Sequence, residues 1–421
     1  MGTNTTLGVE GSGGARWSRR LCVALGWSAL ALGASTAAAQ DRVRLTDGTA
    51  VEGRVVLEAK DRVVVRVGSK DRSVPNAQVA AIDSLARSLR ELLDRWRGAP
   101  PNSPAALLDL AQFAKGRKLS GEARTFALLA LARNREFEPA HVFLGHERKG
   151  ANWSVPQKNG SLRYEAWIER ARDFSDGWRL ESTHFALRSN LELEQACFAL
   201  LELEFAYQAF FDWLGPELEL QELLEPIHVQ VHADERSYPG GSGNAGFFDD
   251  ESNTAFLDAS TAFDPAALVH EATHGLLFNT AMRTRASLGS IPAWLNEGLA
   301  ETLRFARDGA LANPRYDFER RAAFYATIHS QAPKPLDLGR VLALSVEDFV
   351  FSSHIGLAYA QSYTLVQFCL RGDERAHRAR FFEYLRSCYL GKSSATAFKA
   401  ALQTNERDFE RAWLAFVRAG G

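Results

Sequence analysis

The stretch His270-Glu271-Ala272-Thr273-His274 decides how this chain is interpreted. Asp264-Pro265 precedes it, and a capping aspartate followed by proline is typical of a helix start. Only Gly275 weakens the helical pattern between there and Phe278. Two histidines four residues apart on a helix lie about 40° apart around its axis, so both imidazoles can bind one metal ion. Glu271 projects beside them, where it can accept a proton from a water that the metal activates.

A second segment supplies the ligand that the first one lacks. Trp294-Leu295-Asn296-Glu297-Gly298-Leu299-Ala300-Glu301 follows Pro292-Ala293, and a helix here places the two glutamates one turn apart on one face. We predict Glu297 as the third, anionic ligand of a Zn²⁺ ion whose fourth position stays open. Glu301 is predicted to hydrogen-bond the far ring nitrogen of a metal-binding histidine, His270 in our interpretation. The alternative is that both glutamates are solvated surface charges, but the neighbouring apolar side chains favour a packed helix.

These two segments together resemble the gluzincin metallopeptidases. The second one is similar to that of the aminopeptidase N family, and the Glu297–Glu301 spacing is similar to that of thermolysin. The specific resemblance covers residues 264–305, and a looser one to the peptidase MA-like group of exported bacterial proteins covers about 180–415. It implies an α+β fold with a zincin-like catalytic domain, in which a small mixed sheet accompanies the helices that carry the zinc motif. It also implies hydrolysis of a peptide or protein substrate, with Glu271 as the general base.

Gluzincins usually add a tyrosine or histidine that stabilises the oxyanion, and Tyr359 lies at a similar distance downstream. The alternative for Tyr359 is a core tyrosine on an amphipathic helix; Tyr363 and His354 are weaker candidates. The Gly-Ala-Met-Glu-Asn motif of aminopeptidase N is absent. A glycine-rich stretch, Gly243 to Phe247, stands where a substrate-binding edge strand would lie, but it has no amine-binding glutamate. This favours an endopeptidase over an exopeptidase.

Two other functions use the same residues. One is a zinc-bearing protein that binds a partner and has no peptidase activity, although such a protein does not need Glu271. The other is a zinc amidohydrolase that acts on cell-wall or other non-protein amides, because water activation at any amide is the same chemistry.

The first 39 residues are predicted to be an export signal. Three arginines begin it, Leu21–Gly33 is an uncharged apolar run, and Ala37-Ala38-Ala39 offers a cleavage site. We therefore expect a periplasmic or extracellular protein. The alternative is an uncleaved segment that anchors the protein in a membrane, since residues 21–39 are just long enough to span one.

The charge balance argues against two classes of partner, and the cysteine content bears on disulfide pairing. Loss of the signal would leave 46 basic and 50 acidic residues, so neither nucleic acid nor an anionic membrane surface is an expected partner. Cys197, Cys369 and Cys388 would remain, without metal-type spacing. Three separately buried thiols are the favoured interpretation, and a Cys369–Cys388 disulfide is the alternative.

The chain divides by pattern into four parts. After the signal at 1–39, residues 40–83 alternate apolar and polar side chains around Asp47-Gly48 and predict an antiparallel module of four or five strands. Residues 84–155 predict a helical linker or a tetratricopeptide-like segment. We expect these two parts to pack or to dock a protein partner, because they carry no catalytic cluster. Residues 156–421 are the predicted metallopeptidase domain.

Within that domain, the pattern predicts further elements before the His270 helix. Residues 184–188 and 227–232 read as strands, 192–214 as a long helix, and 247–248 and 254–257 as paired edge strands. Four further histidines are assigned to packing or to the surface: His141, His146, His228 and His232. A second metal site at His228 and His232 is the less favoured alternative, since both lie on one side of a strand.

Overall fold

The computed structural model describes residues 41–241, 244–283, 291–305, 314–329, 334–349, 354–372, 375–403 and 405–419. All of these residues belong to one compact unit. The predicted export signal at 1–39 lies outside the described residues. Among the residues described, no helix has both the length and the apolar character needed to cross a membrane.

The first part of the chain folds into a five-stranded antiparallel sheet with the strand order β4-β3-β2-β1-β5. Its inner face is made of valines such as Val43, Val55 and Val65, because alternate residues of a strand point to one side. The strands are β1 (Asp41–Leu45), β2 (Ala50–Glu58), β3 (Arg62–Val67), β4 (Lys70–Pro75) and β5 (Val79–Asp83).

Four helices follow, and they bury their apolar faces against one another and against the later part of the chain. They are α1 (Leu85–Gly98), α2 (Pro104–Gly116), α3 (Ser120–Arg133) and α4 (Glu138–Phe143). The helical region ends earlier than the sequence pattern indicated. Gly145 and Gly150 adopt positive φ angles, and a small antiparallel sheet follows α4 instead of more helix. Its strands are β6 (Glu147–Lys149), β7 (Asn152–Gln157) and β8 (Gly160–Arg163).

The two histidines of this region are buried packing residues. His141 stacks on Trp153 with ring centroids 4.2 Å apart, and its Nδ1 lies 2.7 Å from Nδ1 of His146. A short helix, α5 (Tyr164–Arg170), then leads to the second large sheet.

That sheet is mixed, with the strand order β12-β13-β11-β10-β9. The three central strands β10, β11 and β13 run parallel, and the outer strands β9 and β12 pair antiparallel to them. The prediction that both 247–248 and 254–257 are edge strands is therefore wrong for the second of them. Strand β13 lies between β11 and β12, and its residues are buried or half-buried. The strands are β9 (Trp178–Glu181), β10 (Phe185–Ser189), β11 (Ile227–His232), β12 (Gly246–Asp249) and β13 (Thr254–Asp258).

Helices cover this sheet and complete an α+β fold. The long, mostly buried α6 (Leu193–Leu218) connects β10 to β11, and α7 (Pro265–Arg283) follows the sheet. The remaining helices are α8 (Ala293–Leu303), α9 (Pro314–His329), α10 (Leu338–Val341), α11 (Ile355–Arg371), α12 (Arg378–Tyr389), α13 (Ala395–Leu402) and α14 (Glu406–Ala419). Cys197, Cys369 and Cys388 are free, buried thiols, so the favoured interpretation of three separate thiols is confirmed.

Candidate metal centre

Helix α7 places the imidazoles of His270 and His274 side by side. The Asp264 carboxylate accepts a hydrogen bond of 2.9 Å from the N–H of Ala266 and caps the start of the helix. One turn separates His270 from His274, and their Nε2 atoms lie 3.2 Å apart. Both side chains are almost fully buried.

Helix α8 brings a carboxylate to the same point. Glu297 Oε2 lies 3.2 Å from His270 Nε2 and 3.5 Å from His274 Nε2. Gly298 sets the depth at which α8 is seated, because a Cβ at this position would lie 2.7 Å from the carbonyl oxygen of Ser362 on α11. The next residue after the ligand therefore allows two helix backbones to approach closely.

The three atoms have the spacing that a zinc ion requires. Ligands about 2.0–2.1 Å from the centre of a tetrahedron lie about 3.3–3.4 Å from one another. The measured separations of 3.2, 3.2 and 3.5 Å fall around this value. Glu297 Oε2 is buried without a hydrogen-bond partner among the described residues. Among the residues that the structure describes, His270, His274 and Glu297 are the group that could hold a metal ion.

Glu301 lies behind His270, on the side away from the three converging atoms. Its Oε1 is 3.1 Å from His270 Nδ1, which is within hydrogen-bonding distance. The Glu301 side chain is only 1% exposed, and Arg304 and Arg320 both contact it. A carboxylate at Nδ1 favours the tautomer in which Nε2 carries the free lone pair.

Proton binding at the centre competes with metal binding. Burial disfavours a charged His270, but the carboxylates of Glu297 and Glu301 outweigh burial and raise the pKa of His270 to about 10. Burial likewise opposes ionisation of Glu297, yet the two adjacent histidines hold the pKa of this carboxyl well below its usual range. The metal-free centre therefore holds a proton where a cation would otherwise neutralise the carboxylate.

Glu271 lies beside the converging atoms, against the edge strand β12. A Cβ on Gly246 would come within 2.7 Å of Glu271 Cγ and 2.9 Å of its Oε1, so the bare backbone of β12 leaves the space that Glu271 fills. Burial raises the pKa of Glu271, and the positive charge of the nearby histidines opposes this in part. A raised carboxyl pKa suits a group that accepts and returns a proton near neutral pH.

The predicted oxyanion donor, Tyr359, lies next to the metal-binding histidine His270. The Tyr359 ring is 6.1 Å from the His270 ring, and burial together with Glu297 and Glu271 raises the pKa of the Tyr359 phenol. The phenol therefore keeps its proton and can donate it. Tyr363 instead donates a 3.1 Å hydrogen bond to Asp317, and His354 is an exposed residue at the start of α11.

The sheet histidines do not form a second metal group in the described residues. His232 is buried, stacks on Phe174 at 3.9 Å and lies 3.1 Å from the Ser237 hydroxyl. The glycine-rich stretch at 243–247 falls partly outside the described residues, since the structure describes it only from Asn244 onward.

Some residues at the centre were not predicted from the sequence. Arg304 stands three positions after Glu301, a helical spacing that could have suggested an ion pair. Tyr316 and Arg320 come from a separate helix, and no local pattern links them to the metal ligands. Gly246 lies in the glycine-rich stretch that was predicted to bind substrate. Its closeness to Glu271 depends on how β12 packs against α7, which the sequence pattern does not show.

Comparison with protein-family models gives a match to the later part of the chain. Residues 264–389 match a family described as a protein of unknown function, DUF1570. The matched segment runs from the residue that caps α7 to the end of α12, and it includes every residue of the centre except Gly246. No curated protein matches the chain.

Proposed function

We propose that this chain is an exported zinc metallopeptidase of the gluzincin type, which hydrolyses peptide bonds in a peptide or protein substrate. The observation that carries the proposal is the near-tetrahedral spacing of three ligand atoms, two imidazole nitrogens and one carboxylate oxygen. Under this proposal the sheet β9–β13 with α7 and α8 is a zincin-like domain. The helices α1–α4 are a linker or tetratricopeptide-like segment, and the first 39 residues direct export.

His270, His274 and Glu297 would hold the ion, and two neutral imidazoles with one carboxylate are a donor set that zinc favours. When bound, zinc acts as a Lewis acid that polarises the scissile carbonyl and acidifies the attacking water. Glu271 accepts the proton of that water and passes it to the leaving amine. Tyr359 donates a hydrogen bond to the oxygen on which negative charge develops. Glu301 keeps His270 in the metal-binding tautomer.

The presence of Glu271 favours hydrolysis over metal-dependent binding alone. A binding protein needs the ligands but not a buried carboxylate of raised pKa beside them. An amidohydrolase would use the same chemistry as a peptidase. The kind of amide that is cleaved is therefore decided by the substrate-binding surface. The edge strand β12 lies directly beside Glu271 and presents backbone groups to an extended chain. This arrangement favours a peptide substrate.

The test is to purify the full chain and its Glu271→Gln variant, measure zinc content, and assay both on a casein-like protein and on cell-wall material. We expect one zinc per chain in both proteins, protein hydrolysis by the parent, and a loss of about 10²–10⁴-fold in the variant. Glu251→Gln, in the exposed turn between β12 and β13, is the matched control and should keep parental activity.

Each alternative has its own outcome in this assay. Hydrolysis of cell-wall material but not of protein would assign the chain to the amidohydrolases. Zinc binding with equal activity in parent and variant would remove the enzyme proposal and favour a binding protein. Absence of zinc from both proteins would overturn the metal centre itself.

A further inference from the structure

The carboxylate of Glu301 receives four donors. His270 Nδ1 and Arg304 Nη1 approach its Oε1 at 3.1 and 2.9 Å. Arg320 Nη2 lies 2.8 Å from its Oε2, and the Tyr316 hydroxyl donates to the same oxygen. A carboxylate offers about four acceptor positions, and four polar groups lie within contact distance of Glu301. Glu301 therefore has three contacts beyond the one with His270, although that one contact would be enough to orient the histidine.

Two arginines form ion pairs with the buried carboxylate of Glu301. A carboxylate removed from water is costly unless it is paired and hydrogen-bonded, and arginine retains its charge at all relevant pH values. The pairing also fixes the carboxylate in space, since Arg320 Nε lies 2.6 Å from the Tyr316 oxygen and so orders the second donor. The ring orientation of His270 follows from the position of Glu301.

Apart from His270 on α7, the donors come from two separate parts of the chain. Arg304 directly follows α8, the helix that carries Glu301, whereas Tyr316 and Arg320 belong to α9. Helix α9 is seated by a separate set of contacts. Asp317 accepts hydrogen bonds from Arg371 Nη2 at 2.9 Å and from the Tyr363 hydroxyl at 3.1 Å, both on α11. A shift of α9 would therefore withdraw two of the four donors from Glu301.

We propose that Tyr316 and Arg320 are positioning residues that hold Glu301, and through it His270, in the metal-binding orientation. The seating of α9 then sets the zinc affinity of the centre. This inference rests on the proposed function in one respect, that zinc is the metal bound.

The test measures the zinc dissociation constant of the full chain by competition with a chelator of known affinity. We expect Arg320→Ala to weaken zinc binding by about 10–100-fold, the usual effect of removing a group that supports a metal ligand. Tyr316→Phe removes one hydrogen-bond donor and leaves no cavity, so it should weaken zinc binding less than Arg320→Ala does. It also provides a test if Arg320→Ala does not fold. Arg320→Lys, which retains the charge, should recover part of the loss. Arg315→Ala is the matched control, because this α9 side chain is 88% exposed and forms an ion pair with Glu319 at 2.9 Å.

A double-mutant cycle separates positioning from general stability. In a Glu301→Gln background, Arg320→Ala should change zinc affinity by less than about twofold, since the group through which it acts is already altered. An equal loss in both backgrounds, or parental affinity in Arg320→Ala, would overturn the inference while leaving the proposed function intact. A parent protein that binds no zinc would overturn both.

Discussion

Two histidine–carboxylate clusters in the described part of the chain differ in how their ligand atoms are arranged. In the metal centre, Nε2 of two histidines and Oε2 of Glu297 lie 3.2–3.5 Å apart. In the second cluster, His184 Nδ1 lies 2.8 Å from Glu204 Oε2, and its Nε2 lies 3.4 Å from Glu222 Oε2. We call the second group, with Tyr207, the His184 cluster. The same residue types therefore make either a cation site or an internal ion pair.

The difference lies in which atoms face each other. Each ring nitrogen of His184 meets a different carboxylate, so the two anions lie on opposite sides of one imidazole. The Tyr207 hydroxyl donates a 2.5 Å hydrogen bond to Glu222, and its ring stacks on His184 at 3.5 Å. A protonated His184 satisfies the cluster internally. The metal centre instead places two imidazoles against one carboxylate, and there a divalent cation can replace a proton.

The largest expected effect distinguishes the clusters by their metal affinity. His274→Ala removes one of three ligands that share an apparent binding free energy of about 10–16 kcal/mol, so we expect zinc affinity to fall by at least about a thousandfold. His184→Gln should retain one zinc per chain with parental affinity. Metal analysis and chelator competition on both proteins check this. Loss of zinc from His184→Gln would contradict the separation between a cluster that binds zinc and one that does not.

The next effect concerns the free energy of unfolding, and here the larger change is expected in the His184 cluster. Glu204 is fully buried and also accepts a 2.8 Å hydrogen bond from the backbone N–H of His184. Glu204→Gln leaves a buried imidazolium without its closest anion, and we expect the free energy of unfolding to fall by about 3–5 kcal/mol. Chemical denaturation in excess chelator measures it. Glu251→Gln, at an exposed turn, is the control; a change below about 1 kcal/mol in Glu204→Gln would contradict the buried ion pair.

The two clusters were not equally visible in the sequence. Both histidines of the metal centre stand on one helix at i and i+4, and Glu297 and Glu301 on another, so local periodicity predicts which side chains face one way. The His184 cluster draws its members from a strand start, α6 and the loop after it. The strand predicted at 184–188 is β10 at Phe185–Ser189, so His184 directly precedes it, and the pairing of His184 with Glu204 depends on how α6 packs across the sheet. Arg320 and Tyr316 escaped prediction for the same reason.

The clusters should also respond to pH in opposite directions. In the metal-free centre the pKa of His270 is raised to about 10, so zinc must displace a proton between pH 6 and pH 8. We expect zinc affinity to rise by about tenfold per pH unit across that range. Chelator competition at pH 6, 7 and 8 measures the slope, and a flat profile would show that no proton is displaced.

The stabilisation by His184 should instead fall as the pH rises. Burial disfavours its charged form, but Glu204 and Glu222 outweigh burial and raise the pKa of His184 to about 9. A raised folded-state pKa stabilises the protein fully below the unfolded value of about 6.5, and this contribution is lost as the pH rises through about 9. The difference in unfolding free energy between the parent and His184→Gln, measured in the zinc-loaded protein, should therefore shrink between pH 6.5 and pH 10. A difference that is constant over this range would mean that His184 is not charged.

The smallest effect tests whether a tyrosine in the His184 cluster has any link to the metal. Tyr207 donates to Glu222 and accepts a 3.1 Å hydrogen bond from the N–H of Leu223. Tyr207→Phe leaves both groups without this partner in a buried position, so we expect the free energy of unfolding to fall by about 1–3 kcal/mol. Zinc affinity should stay at the parental value, whereas Tyr316→Phe at the metal centre should lower it. Equal effects of the two substitutions on zinc affinity would mean that both tyrosines act through general stability, and the separation between an ion-pair cluster and a cation site would fail.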